Sequence, residues 1–93
     1  MAMTPELKAQ WIAALRSGEY TQGYNHLRTE NGYYCCLGVL CMVLKRPELL
    51  TASYEHLRKA SGLVQSETDG CVELNDVAQR SFNQIADYIE VYL

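Results

Sequence analysis

The sequence predicts an α+β domain that is mostly α, with four to five short helices around a central apolar helix and one small β-hairpin. Apolar residues recur at helical spacing in several segments. The segment Cys36–Arg46 is apolar on nearly every side, and Asn31-Gly32 is the strongest two-residue signal for a hairpin turn. The chain has 93 residues, 48% of them hydrophobic, so residues 1–93 are expected to form a single compact domain.

The first helix is predicted from about Pro5 to Ser17. Thr4 suits the N-cap, and Pro5 suits the first helical position because its missing N–H is not needed there. Gly18 offers the left-handed conformation that commonly ends a helix. The apolar side of this helix consists of Leu7, Trp11, Ala14 and Leu15.

The hairpin is expected directly before the central helix. A strand over residues 24–29 would lead into Asn31-Gly32, where a type I′ turn requires positive φ at both residues. In that register Glu30 pairs with Tyr33. One face of the hairpin would then carry Leu27, Thr29, Tyr34 and Cys36. A hairpin this short must lie on helices to be stable.

The second helix, Cys36 to Arg46, is expected to form the centre of the core. A helix that is apolar on all sides is a buried one. Gly38 costs about 1 kcal/mol of helix propensity, so we expect it to permit a close backbone approach. Pro47 ends the helix. The apolar residues of this helix are Leu37, Val39, Leu40, Cys41, Val43 and Leu44.

Three further segments complete the predicted secondary structure. A third helix should begin after Thr51 or Ser53 and end at about Ser61. The polar segment 65–70 is predicted to be a loop, because it ends in an Asp-Gly turn signal. The segment 71–78 has no clean period and is interpreted as a short helix.

The last helix is predicted from about Phe82 to Tyr92. Ser81 and Gln84 have the spacing of a capping box, in which each side chain binds the other residue's backbone N–H. Its apolar stripe consists of Phe82, Ile85, Ala86, Ile89 and Leu93.

Charge and hydropathy argue against several classes of partner. The net charge is −3 and the eight basic residues form no run, which disfavours duplex nucleic acid. No apolar stretch reaches the ~20 residues of a membrane span, and the first residues show no signal peptide. A cytoplasmic location is therefore expected, and the four cysteines are expected to be thiols.

The cysteines do not have the spacing of a metal site. Cys35 and Cys36 are adjacent and would point in opposite directions, and Cys41 lies five residues further along. Structural zinc sites use thiolate pairs two to four residues apart, so no metal and no cofactor are predicted. A thiol nucleophile with His26 or His56 as its base leaves a small cysteine-dependent enzyme as an alternative.

Several polar residues are candidates for a binding surface. Arginine beside tyrosine suits an anionic or aromatic ligand, and tyrosine supplies a large contact area at a low cost in conformational entropy. The candidate ligand- or partner-binding residues are Arg16, Tyr20, Gln22, Arg28, Tyr33, Asn75 and Arg80.

Three blocks together resemble a family of small proteins often carried by bacteriophages and prophages. They are residues 14–23 (ALRSGEYTQG), residues 34–41 (YCCLGVLC), and Leu74-Asn75-Asp76 followed by residues 81–90 (SFNQIADYIE). The resemblance implies a source class: small non-enzymatic phage proteins of this size often act against host defence.

The expected function is therefore that of a phage-type binding protein in the host bacterial cytoplasm. It would inhibit host defence by sequestering an anionic, nucleotide-like signal or by blocking a host defence protein. A structural or DNA-associated phage module is a further alternative. Self-association as a homo-oligomer is also expected to be favourable, since a small chain with a thin core gains from an interface.

Overall fold

The computed structural model describes residues 3–93, and this part of the chain contains five α-helices and no strand. A 3₁₀ turn at Pro47–Thr51 precedes the third helix, and a π-helical turn at Glu73–Val77 directly continues the fourth. α1 packs against α5 and α2, and α2 also contacts α4. The five helices are α1 (Pro5–Arg16), α2 (Cys36–Val43), α3 (Tyr54–Ser61), α4 (Gln65–Val72) and α5 (Phe82–Tyr92).

The prediction of an α+β fold with a hairpin is wrong, because the described residues are essentially all-α. Between α1 and α2, Tyr34 forms two isolated bridges, one parallel to Gln22 and one antiparallel to Arg28. The chain bends between these bridges rather than continuing as strands. Each bridge is a single pairing, so no ladder of hydrogen bonds builds up and no sheet forms.

The turn before α2 also differs from the predicted type I′ turn. Gly32 has a φ of 80° and its N–H donates to the Thr29 carbonyl at 3.0 Å, whereas Asn31 is not among the residues with positive φ. With only one left-handed residue, the register shifts by one, and Tyr34 lies opposite Arg28 rather than Thr29. A shift of one residue exchanges the two faces of the pairing.

α2 is the buried centre of the fold, as predicted. Every residue from Cys36 to Cys41 is buried, and the indole N–H of the fully buried Trp11 donates to the Cys36 carbonyl at 2.9 Å. A Cβ on Gly38 would overlap the carbonyl oxygen of Leu27. This confirms that a glycine is needed here for close backbone packing.

Capping signals in the sequence correctly predicted one end of each of three helices. α1 begins at Pro5 with the Thr4 hydroxyl accepting from the Leu7 N–H at 3.2 Å. In α5 the predicted capping box is present, with hydrogen bonds of 3.0 and 3.2 Å between Ser81 and Gln84. α3 ends at Ser61 and is followed by Gly62, which has a left-handed φ of 86°. α2, by contrast, ends at Val43 rather than Arg46, because Lys45 takes a left-handed φ of 59°.

The segment predicted to be a loop at residues 65–70 is instead most of α4. The Glu67 carboxylate accepts from the Val64 backbone N–H at 3.0 Å and so stabilises the start of the helix. Thr68 and Cys71, three positions apart, are both buried on the face that meets the core. Two buried positions in a largely polar helix give a periodicity too weak to detect in the sequence.

Candidate interaction surface

The segment between α1 and α2 carries four of the seven tyrosines, and we refer to residues 20–34 as the tyrosine loop. Tyr24 and Tyr33 are 38% and 43% exposed, whereas Tyr20 and Tyr34 are half-buried. Loops positioned by a rigid scaffold commonly carry binding residues. Whether the tyrosine loop can act as a binding surface therefore depends on the contacts that hold it in place.

Asn75 connects the tyrosine loop to the helical core. Its side chain is fully buried in the π-helical turn. The amide oxygen accepts from Gln22 Nε2 at 3.0 Å and from the Cys36 backbone N–H at 3.2 Å. The amide nitrogen donates to the Gly23 carbonyl at 2.9 Å and to Asp76 Oδ1 at 2.7 Å. Both donors and both acceptor positions of the amide are thus used inside the fold.

Two further contacts fasten the loop to the segment that follows α4. Gln22 Nε2 also donates to the Arg80 carbonyl at 2.7 Å, and the Asn25 N–H donates to Asp76 Oδ1 at 2.9 Å. Asn25 has a φ of 68°, a left-handed conformation that asparagine tolerates better than most residues. The loop is therefore held at Gln22, Gly23 and Asn25 by one hydrogen-bond network, which is buried at Asn75 and reaches the surface at Asn25.

Arg28 and two tyrosine rings form a stack on the outside of the loop. The guanidinium carbon of Arg28 lies 5.9 Å from the ring centroid of Tyr34, which is within the range of a cation–π contact. The Tyr20 ring meets the Tyr34 ring edge-on, with centroids 5.2 Å apart and planes at 85°. Arg28 also extends across the turn, since its Nη2 lies 3.9 Å from the position of a Cβ on Gly32.

Two grooves that are open to solvent flank the Arg28 side chain. One has a volume of about 510 Å³. The other has a volume of about 320 Å³. Arg28, Thr29 and Glu30 line both grooves, the first is completed by His26 and Asn31, and the second is completed by Pro47, Leu50 and Thr51.

The structure brings together some of the predicted site residues and separates others. Tyr20, Gln22, Arg28 and Tyr33 belong to the tyrosine loop, and Arg80 approaches it through its carbonyl oxygen. Asn75 lies beneath the loop and is not exposed.

Arg16 lies elsewhere, where it joins α1 to α5. Its Nη2 is 2.7 Å from Asp87 Oδ1 and 3.3 Å from Glu90 Oε1. Hydrogen bonds to these two carboxylates raise the pKa of the Arg16 guanidinium. With both partners on α5, Arg16 connects two helices at the surface and is not part of the tyrosine loop.

Tyr34 contacts the predicted site residues Tyr20 and Arg28, although the sequence analysis did not include it among them. The type I′ register paired it with Thr29, and the observed register pairs it with Arg28. The sequence did contain a relevant signal, because Asn31-Gly32 also permits a turn in which only the glycine is left-handed.

The four cysteines are all free and buried. Burial raises the pKa of Cys35 to about 11 and that of Cys41 to about 12. A hydrogen bond with the Cys71 thiol, together with burial, raises the pKa of Cys36, whose Sγ also lies 3.5 Å from the Cys71 carbonyl. Buried thiols with raised pKa values are poor nucleophiles.

Neither histidine forms a hydrogen bond to a cysteine within residues 3–93. His56 Nδ1 lies 2.9 Å from the Ser53 hydroxyl. Within residues 3–93, no cluster of three or more histidine, cysteine or acidic side chains could hold a metal ion. In the same part of the chain, no helix has both the length and the apolar character needed to cross a membrane.

Residues 3–63 match the family described as "Domain of unknown function (DUF8296)". The match covers well over half of the chain, so the chain belongs to this family. No curated protein and no solved structure matches it. The matched region contains the tyrosine loop and α2, whereas Asn75 lies beyond its end.

Proposed function

We propose that this member of the DUF8296 family is a small non-enzymatic binding protein of bacteriophage type that inhibits host defence by blocking a defence protein. The observation that carries the proposal is the stack of Arg28, Tyr34 and Tyr20 on a loop held from beneath by Asn75. Arginine and tyrosine are enriched at protein interfaces and supply much of the binding energy there.

The shape of the surface favours a protein partner over a small molecule. Sites for small molecules usually enclose most of the ligand surface. Both grooves beside Arg28 are instead open to solvent, and exposed Tyr33 adds a broad contact area on the same loop. Because the Asn75 network already holds the loop, binding would cost little additional conformational entropy.

A specific observation also supports a second candidate, the sequestration of a nucleotide signal. Arg28 has no carboxylate within ion-pair distance among the described residues, and it lies over an aromatic ring. A guanidinium can bind phosphate through two hydrogen bonds, and tyrosine can stack on a base. The two candidates therefore share residues and differ in the ligand.

The host-defence part of the proposal depends on the resemblance to small proteins of bacteriophages and prophages. That resemblance includes the YCCLGVLC block, which forms the start of the buried α2. A protein with this role would act in the host bacterial cytoplasm. Association of two copies would enlarge the contact area without any change to the tyrosine loop.

The test is a phage escape assay in bacteria that each carry one known defence system and express the protein. We expect wild type to restore plaque formation in one or more of these strains. Arg28→Ala and Tyr33→Ala should reduce the restoration at least tenfold with little change in melting temperature. The matched control is Tyr92→Ala on α5, which removes a 71% exposed tyrosine away from the loop.

Two outcomes would separate the candidates, and two others would contradict the proposal. Equal activity of all variants, or no escape in any strain, would contradict the proposal. A nucleotide that is released when the protein is recovered from infected cells and denatured would favour sequestration, with Arg28→Lys expected to weaken its retention because lysine lacks the guanidinium fork. A defence protein that co-purifies with wild type but not with Arg28→Ala would support blocking.

A further inference from the structure

We infer that Arg28 receives a carboxylate from an extended acidic segment of the partner protein, which lies across the turn at residues 29–32. This inference rests on the proposed function and specifies the chemistry of the partner. It depends on three features of the structure: the unpaired guanidinium, its contact with the Tyr34 ring, and the grooves on either side of it.

The guanidinium of Arg28 is available, unlike that of the arginines that form ion pairs. Arg16 has a carboxylate at 2.7 Å and Arg46 has one at 2.9 Å. The ion pairs of residues 3–93 do not include Arg28, and its only described partner is the face of the Tyr34 ring. Its N–H groups are therefore free to bind a carboxylate through two parallel hydrogen bonds.

One aromatic contact restrains this guanidinium before binding. The Tyr34 ring lies on one side of it, and the Tyr34 backbone is held by hydrogen bonds of 2.8 Å to the Thr21 carbonyl and 2.7 Å from the Gly23 N–H. Gly32 has no side chain to cover the end of the guanidinium, whose Nη2 reaches across the turn. A side chain that is already placed loses less entropy on binding.

The grooves indicate a segment rather than a single side chain. They share Arg28, Thr29 and Glu30, so a chain that passes from one to the other must cross the guanidinium. An extended chain advances about 3.3 Å per residue, so a few residues are enough to reach both grooves. Pro47 and Leu50 give the second groove an apolar wall, which suits an apolar side chain near the acidic one.

Glu30 provides an independent test of the sign of the partner's charge. It lines both grooves, is exposed, and is not part of an ion pair within the described residues. A carboxylate in the ligand would be repelled by it. Glu30→Gln should therefore strengthen the binding of an acidic segment, whereas it should weaken the binding of a basic one.

The experiment is selection from a library of random nine-residue peptides displayed on phage, with the purified full-length protein as bait. We expect the selected peptides to share an aspartate or glutamate beside an apolar residue. A synthetic copy should bind Arg28→Gln at least tenfold more weakly than wild type, and Glu30→Gln more tightly. The control is Lys59→Gln, which removes a charge on α3 that lines neither groove and should leave binding unchanged.

Selected peptides without an acidic residue, or equal binding to Arg28→Gln and wild type, would overturn the inference. ADP is the probe for a phosphate ligand. Binding of ADP through Arg28, without binding of any acidic peptide, would also overturn the inference, because the ligand would then be a phosphate. Failure of the proposed function would give a different result from failure of this inference. In that case acidic peptides would bind through Arg28, but the protein would not restore plaque formation in any strain.

Discussion

Asn75 shows how a single buried side chain can determine the shape of a surface to which it does not belong. The sequence predicted it as a binding residue, and it is instead fully buried with four hydrogen bonds inside the fold. Its partners Gln22 and Gly23 are more than fifty positions away along the chain. We therefore interpret Asn75 as a residue that positions the tyrosine loop.

Asn75→Ala should lower the free energy of unfolding by on the order of 3 kcal/mol, because buried partners such as the Cys36 N–H and the Gly23 carbonyl lose their hydrogen bonds. Urea denaturation followed by circular dichroism measures this loss. Asn83→Ala is the control, since Asn83 is exposed on α5. A loss below about 1 kcal/mol at Asn75 would show that water replaces these bonds easily.

Two glycines within helices should respond in opposite ways to alanine. At Gly38 an added methyl group would overlap the Leu27 carbonyl, so Gly38→Ala should be destabilising by about 1 kcal/mol or more despite the better helix propensity of alanine. At Gly70 the methyl group would lie 3.5 Å from the Tyr88 hydroxyl, an ordinary contact. Gly70→Ala should stabilise by about 0.5–1 kcal/mol.

Thermal unfolding of both variants beside wild type makes this comparison. The expected signs are a lower melting temperature for Gly38→Ala and a higher one for Gly70→Ala. The same sign in both variants would mean that helix propensity alone, or crowding alone, governs these positions.

At the scale of elements, the sequence predicted those whose determinants are local. The N-cap of α1, the capping box of α5 and the left-handed Gly62 after α3 each involve residues a few positions apart. α4 was not predicted because its helical face is defined by burial against other helices. The predicted hairpin was wrong because contacts that are distant in sequence also hold the segment before α2. The contacts that hold the tyrosine loop come from Asn75 and Asp76, which no local pattern places beside it.

α2 and its N-cap residue Cys35 place three thiols in the core, and this predicts how stability depends on pH. Burial raises the pKa of Cys35 from 9.0 to about 11, so the fold favours the neutral thiol. The contribution of this neutral thiol to the free energy of unfolding is complete below pH 9. It is lost as the pH rises from 9 through 11. We expect the free energy of unfolding to decrease over this window, more steeply in wild type than in Cys35→Ala.

Urea denaturation at a series of pH values from 7 to about 10.5 measures the two slopes, which should differ by up to about 1.4 kcal/mol per pH unit. All other ionisable groups are common to the two proteins, so their effects largely cancel in the difference. Parallel curves for wild type and Cys35→Ala would show that the Cys35 thiol ionises as easily in the folded state as in the unfolded chain.

At the scale of the whole molecule, the region that defines the family is not a self-contained core. The match ends at residue 63, yet α1 makes its most extensive packing contacts with α5. Ile85, Ala86 and Ile89 of α5 are fully buried. The start of α2 and the tyrosine loop are held by Asn75, and the Cys36 thiol meets Cys71. Each of these partners lies in residues 64–93.

A fragment that ends at residue 63 should therefore not fold, whereas the full chain should unfold cooperatively. Removal of α4, the π-helical turn and α5 would expose the apolar faces of α1 and α2 to water and leave the Cys36 N–H without its acceptor. So small a chain has little stability to lose. Circular dichroism and a urea titration of the two proteins under the same conditions test this. A sigmoidal transition and near-complete helix content in the fragment would contradict it, and would mean that α1, α2 and α3 form a core of their own to which the last thirty residues are added.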